Sequence, residues 1–217
     1  MPVFIRAGQT TFPPVESSDE DGLLAIGGDL STETLLNAYR NGIFPWYNED
    51  EPVCWFSPDP RFVLFPEELY MSKSLQQLLN RKEFEFSVNK DFNAVIRSCQ
   101  QIKRKGQDGT WITEEMIEAY IKLHQLGFAH SAEVWQNEKL VGGLYGIRIG
   151  KIFFGESMFS IVSNASKFAF AKYVEQLRSE EVELIDCQVY TEYLESFGAR
   201  MIDRNDFINI IRTSIKI

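Results

Sequence analysis

Residues 140–188 read LVGGLYGIRIGKIFFGESMFSIVSNASKFAFAKYVEQLRSEEVELIDCQ, and this stretch decides the fold. Two apolar runs, 140–149 and 151–154, are separated by the single turn residue Gly150. Runs of this length around a glycine are typical of two antiparallel strands and their turn. The first half of the stretch therefore predicts a β-hairpin.

The second half predicts a helix and then a short strand. Asn164 or Ser166 is suited to cap the helix, because apolar residues recur after them at helical spacing, namely Phe168, Phe170, Ala171, Val174 and Leu177. Residues 182–188 then predict a strand.

Alternation along this strand places Leu184, Asp186 and Gln188 on one face and Ile185 and Cys187 on the other. An apolar strand that carries two polar side chains on one face must bury them, pair them or use them to line a cleft. A cleft is the functional alternative, and an Asp-Gln pair satisfied inside the core is the structural one. A Cys187 nucleophile is disfavoured, because alternation turns its sulfur away from Asp186 and Gln188.

Hairpin, helix and strand, followed by a last helix at 203–214, are typical of the acetyltransferase-like fold, an α+β class with a mixed sheet flanked by helices. We assign residues 112–217 to this catalytic domain and residues 1–62 to a smaller N-terminal α+β domain with aromatic loops. Residues 63–111 form a basic connecting region that the sequence leaves assignable to either domain.

The composition is that of an ordinary globular protein, with 217 residues and a formal net charge of −9. No apolar run approaches the ~20 residues of a transmembrane helix, and residues 1–30 lack the apolar core of a signal peptide. Three widely spaced cysteines and two histidines argue against a disulfide framework or a zinc site. We expect a cytoplasmic protein without a membrane or metal partner.

The charge is distributed unevenly along the chain. Residues 15–53 contain nine acidic residues and one basic residue, whereas residues 72–105 contain eight basic and three acidic residues. A local basic face on an acidic protein can bind a short stretch of phosphates, although a solvated charged surface explains the same pattern.

The N-terminal segment combines a predicted helix with aromatic loops. Ser31 and Gly42 are suited to cap its ends, and Tyr39 falls on its buried stripe. The loops around this helix, IFPW at 43–46 and CWFSP at 54–58, hold aromatic rings that either cover a core or wall a pocket.

The sequence lacks two binding loops, one for ATP and one for coenzyme A, that would indicate the source of an activated group. There is no GxxxxGK[ST] loop for ATP. The segment SMFSIVSNASK at 157–167 also lacks the glycines of the coenzyme A pyrophosphate loop expected after the central strand of an acetyltransferase. An enzyme of this fold then needs another activated acyl donor, such as an aminoacyl-tRNA ester.

The sequence resembles the leucyl/phenylalanyl-tRNA–protein transferase family over most of its length. The motifs that carry the resemblance, in order, are GLLAIGGDLSTETLLNAYRNGIFPW, WFSPDPR, GTWITEEMIEAYIKLHQLGFAHSAEVW, LVGGLYG, FFGESMFS, NASK and LIDCQ.

The resemblance implies transfer of Leu or Phe, and also Met, from aminoacyl-tRNA to the α-amino group of an N-terminal Arg or Lys. The product protein is marked for N-end-rule degradation. The implied reaction is direct aminolysis of the tRNA ester, with no covalent enzyme intermediate and no cofactor.

The resemblance also implies the catalytic residues. Asp186 and Gln188 would lie beside the ester, where Gln188 binds the amine or an ester oxygen and Asp186 orients it or stabilises charge on the amine. Glu156 would contact the cationic N-terminal residue or the incoming amine, whereas a salt-bridged structural Glu156 is the alternative. Alternation places Glu156 opposite Phe153, unless Gly155 introduces a bulge.

Two further groups of residues follow from the resemblance. The aminoacyl side chain would occupy an apolar pocket of Trp46, Trp111, Phe153 and Met158, for which ordinary core packing is the alternative. The tRNA acceptor end would bind Lys103, Arg104 and Lys105, with Arg81 and Lys82.

Two other functions compete with this interpretation. A coenzyme A-dependent N-acyltransferase conflicts with the missing pyrophosphate loop. A non-catalytic receptor for N-terminal residues would explain Glu156 and an apolar pocket, but it has no need of Asp186, Gln188 or a basic face.

Overall fold

A computed structural model describes residues 2–81, 83–102 and 110–215. The strands are β1 (Val3–Ile5), β2 (Leu23–Gly27), β3 (Phe44–Pro45), β4 (Cys54–Phe56), β5 (Arg61–Leu64), β6 (Glu85–Val88), β7 (Ala129–Gln136), β8 (Lys139–Ile149), β9 (Ile152–Ser160), β10 (Leu184–Gln188) and β11 (Arg200–Ile202). The α-helices are α1 (Thr32–Arg40), α2 (Lys73–Leu79), α3 (Phe92–Gln101), α4 (Glu114–Gln125), α5 (Ala165–Ser179), α6 (Glu192–Glu195) and α7 (Arg204–Ser214).

The described residues form a large mixed sheet and a small one. The large sheet has seven strands in the order β11-β5-β10-β9-β8-β7-β6, in which β9 and β10 pair in parallel and the other neighbours pair antiparallel. The small sheet has the order β1-β2-β4-β3 and packs with α1 in the N-terminal part of the chain. The predicted α+β class, a mixed sheet flanked by helices beside a smaller N-terminal unit, is confirmed.

Two apolar cores cover the two faces of the large sheet. One face packs against α5 and α2 through buried side chains such as Phe168, Val174 and Leu75. The opposite face packs against α3, α4, α7 and the N-terminal unit. The sheet therefore lies between α5 on one side and the N-terminal unit on the other.

The predicted hairpin is confirmed, because β8 and β9 pair antiparallel around Gly150, whose φ of +58° favours glycine. The predicted cap of α5 is wrong in detail. Asn164 precedes the helix, but it adopts a left-handed φ of +68° and its side chain caps nothing. Instead, the Ser160 hydroxyl accepts a bond of 3.2 Å from the Ser166 amide, because β9 ends beside the first turn of the helix.

Much of the connecting region contributes to the large sheet and its cover. Within residues 63–111, β6 forms an edge strand, α2 packs against α5, and α3 packs against β8. The boundaries drawn at 62 and 111 stay a prediction. Among the helices of the described ranges, none is both long enough and apolar enough to cross a membrane.

Candidate active site

The site lies where two parallel strands separate. β9 and β10 pair over three positions, Leu184 with Ile152, Ile185 with Phe153 and Asp186 with Phe154. Beyond this last pair β9 continues to Ser160 without β10 beside it. The gap opens into a cavity of about 530 Å³ whose surface is mainly apolar.

A β-bulge in β9 brings a carboxylate to this gap. Tyr145 of β8 pairs with Ser157, and the next residue, Gly146, pairs with Gly155, so Glu156 is the extra residue of β9. The Tyr39 side chain contacts both Phe154 and Glu156, which places Glu156 on the face opposite Phe153, as alternation predicted.

Three side chains from distant parts of the chain donate hydrogen bonds to Glu156. The Tyr39 hydroxyl of α1 lies 2.6 Å from Oε1, and the Tyr120 hydroxyl of α4 lies 3.0 Å from Oε2. The Gln188 Nε2 lies 3.1 Å from Oε1. No Lys or Arg of the described ranges forms an ion pair with Glu156.

The surroundings of Glu156 shift its titration toward neutral pH. Burial raises its pKa from 4.5 to about 7 and outweighs the hydrogen bonds from Tyr39 and Tyr120, which act in the opposite direction. The negative charge of Asp186 raises the pKa further. Burial, with the charge of Glu156, also raises the pKa values of both tyrosines well above their usual range. Glu156 is thus placed to exchange a proton near pH 7, while both tyrosines stay protonated donors.

The hydrogen-bond count at Glu156 leads to the same conclusion. Its carboxylate and the two hydroxyls form a triangle of contacts, because the Tyr39 and Tyr120 hydroxyls also bond to each other. These three oxygen–oxygen contacts share only two hydroxyl protons while Glu156 is ionised. One proton on Glu156 completes the triangle, so the cluster can accommodate Glu156 with or without its proton.

Asp186 borders the cavity, but its side chain is fully buried and paired. The Arg61 guanidinium binds it with two parallel bonds, Nε to Oδ1 at 2.8 Å and Nη2 to Oδ2 at 2.7 Å. Oδ1 also accepts the main-chain N–H of Gln188 at 2.9 Å. The sequence allowed a polar group on this strand to be buried, to be paired or to line a cleft. The Asp186 carboxylate is both buried and paired.

Gln188 lies at the end of β10 with a left-handed φ of +65°, where the register against β5 shifts. This conformation turns the half-buried side chain toward Glu156. The neighbouring Cys187 is buried, and burial raises the pKa of its thiol far above the usual range. A thiolate nucleophile is therefore disfavoured at this position.

The four residues predicted to hold an aminoacyl side chain, Trp46, Trp111, Phe153 and Met158, all line the cavity. Trp46 lies at the rim with 42% of its surface exposed, and Phe153 is buried against the Tyr173 ring. Their role in binding an amino acid stays a prediction.

Most of the basic residues predicted to bind tRNA lie outside the described residues. These are Lys82, Lys103, Arg104 and Lys105. Arg81, which is described, is exposed after α2. Two described residues close in sequence to the undescribed 103–109 segment, Ile102 and Trp111, line the cavity. In the described part of the chain, no cluster of three or more His, Cys, Asp or Glu side chains could hold a metal ion.

Sequence reasoning missed Tyr39, Tyr120 and Arg61. Helical periodicity assigned Tyr39 to a buried stripe, which is correct, but nothing in the pattern indicates that its hydroxyl binds a carboxylate. Arg61 is fully buried and a buried arginine requires a partner, but its position after the Pro-rich WFSPDP segment does not reveal that burial.

Comparison with known proteins identifies relatives of this chain. The family described as "Leucyl/phenylalanyl-tRNA protein transferase" matches residues 63–212, and its N-terminal domain matches residues 28–59. A leucyl/phenylalanyl-tRNA–protein transferase of Flavobacterium johnsoniae is 59% identical over 93% of this chain and 95% of its own length. The corresponding protein of Syntrophus aciditrophicus is 53% identical over 100% and 90%. A GCN5-related N-acetyltransferase from Kribbella flavida aligns over 76% of this chain and 59% of its own, with a TM-score of 0.39 and 9% identity.

Proposed function

The chain belongs to the leucyl/phenylalanyl-tRNA–protein transferase family, and from this premise we propose which group it transfers, to what acceptor and by what chemistry. The protein is an aminoacyl-tRNA–protein transferase. In our proposal it moves Leu or Phe, and also Met, from aminoacyl-tRNA to the α-amino group of an N-terminal Arg or Lys, which marks the protein for N-end-rule degradation.

The observation that carries this proposal is an apolar cavity that ends at a carboxylate, Glu156, with no ion-pair partner among the described residues. Aromatic rings and the pliable Met158 suit a Leu, Phe or Met side chain. Glu156 meets no cation among the described residues and is accessible from the cavity. An apolar acyl group and a cationic amine would therefore meet at this point.

The chemistry follows from the protonation of the two reactants. An α-amino group reaches the site largely as an ammonium ion, and it must lose a proton before its nitrogen can attack the ester carbonyl. Glu156, with a pKa of about 7, accepts that proton. A C–N bond forms and the C–O bond to the tRNA 3′-oxygen breaks. The nitrogen then loses a second proton, which passes to this leaving oxygen, while Glu156 releases the first proton to solvent.

Gln188 positions the nucleophile in this scheme. A carboxamide is too weak a base to take the proton, but its Nε2 is held by Glu156. Its carbonyl oxygen is then available to accept a hydrogen bond from the attacking nitrogen. Ionised Glu156 and the formal net charge of −9 also favour an acceptor whose N-terminal residue is cationic.

The test is transfer of labelled leucine from leucyl-tRNA to two peptides that differ only in a free or an acetylated N-terminal Arg. We expect label on the free peptide alone, because the acetylated nitrogen is not a nucleophile. A peptide that binds without accepting label would contradict aminolysis and favour the receptor interpretation.

Gly155→Ala is expected to change the preference between Leu and Phe. Gly155 lines the cavity, and an added Cβ would meet the Asp186 carbonyl oxygen at 3.5 Å and the Phe153 ring at 4.0 Å, which are ordinary contacts. The fold should therefore accept the methyl group, while the gap between β9 and β10 narrows. We expect the ratio of Phe to Leu transfer rates to fall about tenfold. The ratio is measured in one mixture of both aminoacyl-tRNAs. An unchanged ratio would show that the transferred Leu or Phe side chain does not bind beside Gly155.

Replacement of Lys103, Arg104 and Lys105 by Ala is expected to weaken tRNA binding and to reduce its dependence on salt. Three lost phosphate contacts should lower the slope of log Kd against log salt by about 2. The matched control replaces three exposed lysines elsewhere in the chain, Lys122, Lys139 and Lys151, with Ala. An equal change in both triple variants would show that net charge, and not these three positions, governs binding.

A further inference from the structure

The buried Arg61 guanidinium holds together three separate parts of the molecule. It lies on β5, next to β10 in the large sheet, and is 0% exposed. The Phe44 ring of the N-terminal sheet and the Phe207 ring of α7 lie 4.7 Å and 4.6 Å from its central carbon. Two aromatic faces and the bidentate bond to Asp186 together fix the guanidinium.

A continuous set of contacts leads from Arg61 to the proposed base. Arg61 fixes the Asp186 carboxylate, and Asp186 Oδ1 accepts the Gln188 main-chain N–H at 2.9 Å. This bond holds Gln188 at the left-handed φ from which its Nε2 reaches Glu156. Phe44, which stacks on Arg61, also lines the cavity.

Stability alone does not account for an ion pair at this depth. Two buried charges lose their hydration, and a well-packed apolar pair of similar volume is often as stable. A bidentate Arg–carboxylate pair does supply a fixed orientation, which apolar packing defines less sharply. The arrangement thus suits the placement of a neighbouring group.

We propose that Arg61 is a positioning residue for aminoacyl transfer, which acts through Asp186 to set the main chain and carboxamide of Gln188 beside Glu156. The proposal rests on the proposed function. It assigns to Asp186 an orienting role and no direct contact with the amine or the ester, and it assigns a role to the Arg of the WFSPDPR motif.

The first test compares Arg61→Met with the double variant Arg61→Met/Asp186→Asn. The single variant leaves a buried carboxylate without its partner, so kcat for leucine transfer should fall about 100-fold through misplacement of Gln188. KM for leucyl-tRNA should stay within about threefold, because the aminoacyl pocket is intact. In the double variant, an Asn oxygen can still accept the Gln188 N–H without an unpaired charge. We therefore expect kcat to recover at least about tenfold over Arg61→Met.

The matched control uses a second arginine with the same kind of partners. Arg200 binds Glu68 through Nε and Nη2 and lies 4.7 Å from the Phe65 ring, but it is about half exposed at the edge strand β11. Arg200→Met and Arg200→Met/Glu68→Gln should both keep kcat within about twofold of the unmodified protein.

Arg61→Lys keeps the positive charge but cannot form the bidentate bond to Asp186. This variant tests the proposal if Arg61→Met does not fold. We expect an unchanged KM with kcat lowered about tenfold. The proposal is overturned if both Arg61 variants keep full kcat, or if the double variant is no more active than Arg61→Met, since the Asp186 charge would then act directly. These outcomes can be told apart from failure of the proposed function. If the proposed function were wrong, the unmodified protein itself would not transfer leucine to the free peptide.

Discussion

Glu156→Gln is expected to lower kcat/KM for leucine transfer to an Arg-peptide about 1,000-fold, because the pocket loses the group that takes the proton from the incoming amine. The unmodified protein should lose activity as pH falls through about 7, the pKa of Glu156. In the variant the amine must arrive already deprotonated, so the midpoint of the acid limb should move to about 8, near the ordinary pKa of an α-amino group. Initial rates from pH 5.5 to 9 measure both effects.

The control for this variant is Glu118→Gln on α4, which makes the same change in charge at an exposed position of the same helix as Tyr120. It should leave the rate and the pH profile as they are. An unmoved acid limb in Glu156→Gln would contradict the assignment of Glu156 as the base, even if the rate itself fell.

The same substitution should change stability in the opposite direction from activity. The native pKa of about 7 exceeds the ordinary 4.5, so the native state binds more protons than the unfolded state between these pH values. The free energy of unfolding therefore falls as pH rises through this range, by up to about 3 kcal/mol from this group. Glu156→Gln has no carboxyl group to titrate here, so its free energy of unfolding should not fall in this way. Urea unfolding at pH 5 and pH 8 should show that the stability of the variant relative to the unmodified protein is higher at pH 8 than at pH 5.

Gly146→Ala is expected to be the most destabilising small substitution in the sheet. Gly146 lies opposite Gly155 at the β9 bulge, and an added Cβ would lie 2.2 Å from the Phe154 carbonyl oxygen and 2.5 Å from the Phe153 ring. The main chain of the neighbouring strand cannot yield without breaking the β8–β9 ladder, so we expect a loss of about 3 kcal/mol or more. For a chain of this size the melting temperature should fall about 10 °C.

Gly155→Ala is the matched control for this effect. It adds the same methyl group to the partner position across the ladder, where the nearest contact is 3.5 Å. Thermal unfolding of this variant should stay within a few degrees of the unmodified protein. Equal melting temperatures for both variants would show that the close approach at Gly146 relaxes at little cost.

Local patterns were enough to predict the elements that build the site. Two apolar runs around Gly150 predicted the hairpin. Simple alternation, on the condition that Gly155 introduces no bulge, predicted that Glu156 lies opposite Phe153, and Glu156 keeps this side even though β9 bulges at Glu156. Asn164 occupies the predicted cap position of α5, but its side chain makes no capping bond, and the hydroxyl that accepts the Ser166 amide belongs to Ser160 in the preceding strand. Strand and helix periodicities are local properties, whereas a cap from a neighbouring strand depends on how two elements meet.

By itself the sequence determined the fold class, the family and the two polar positions at the end of β10, because local periodicity and the order of motifs can be read directly along the chain. Only the tertiary structure decided the placement and the electrostatic surroundings of the proposed catalytic groups. Tyr39 and Tyr120 are 117 and 36 residues from Glu156, and Arg61 is 125 residues from Asp186. Burial raises the pKa of Glu156, which meets Tyr39 of the N-terminal unit and Tyr120 of α4, whereas Arg61 pairs the Asp186 carboxylate across two neighbouring strands of the large sheet.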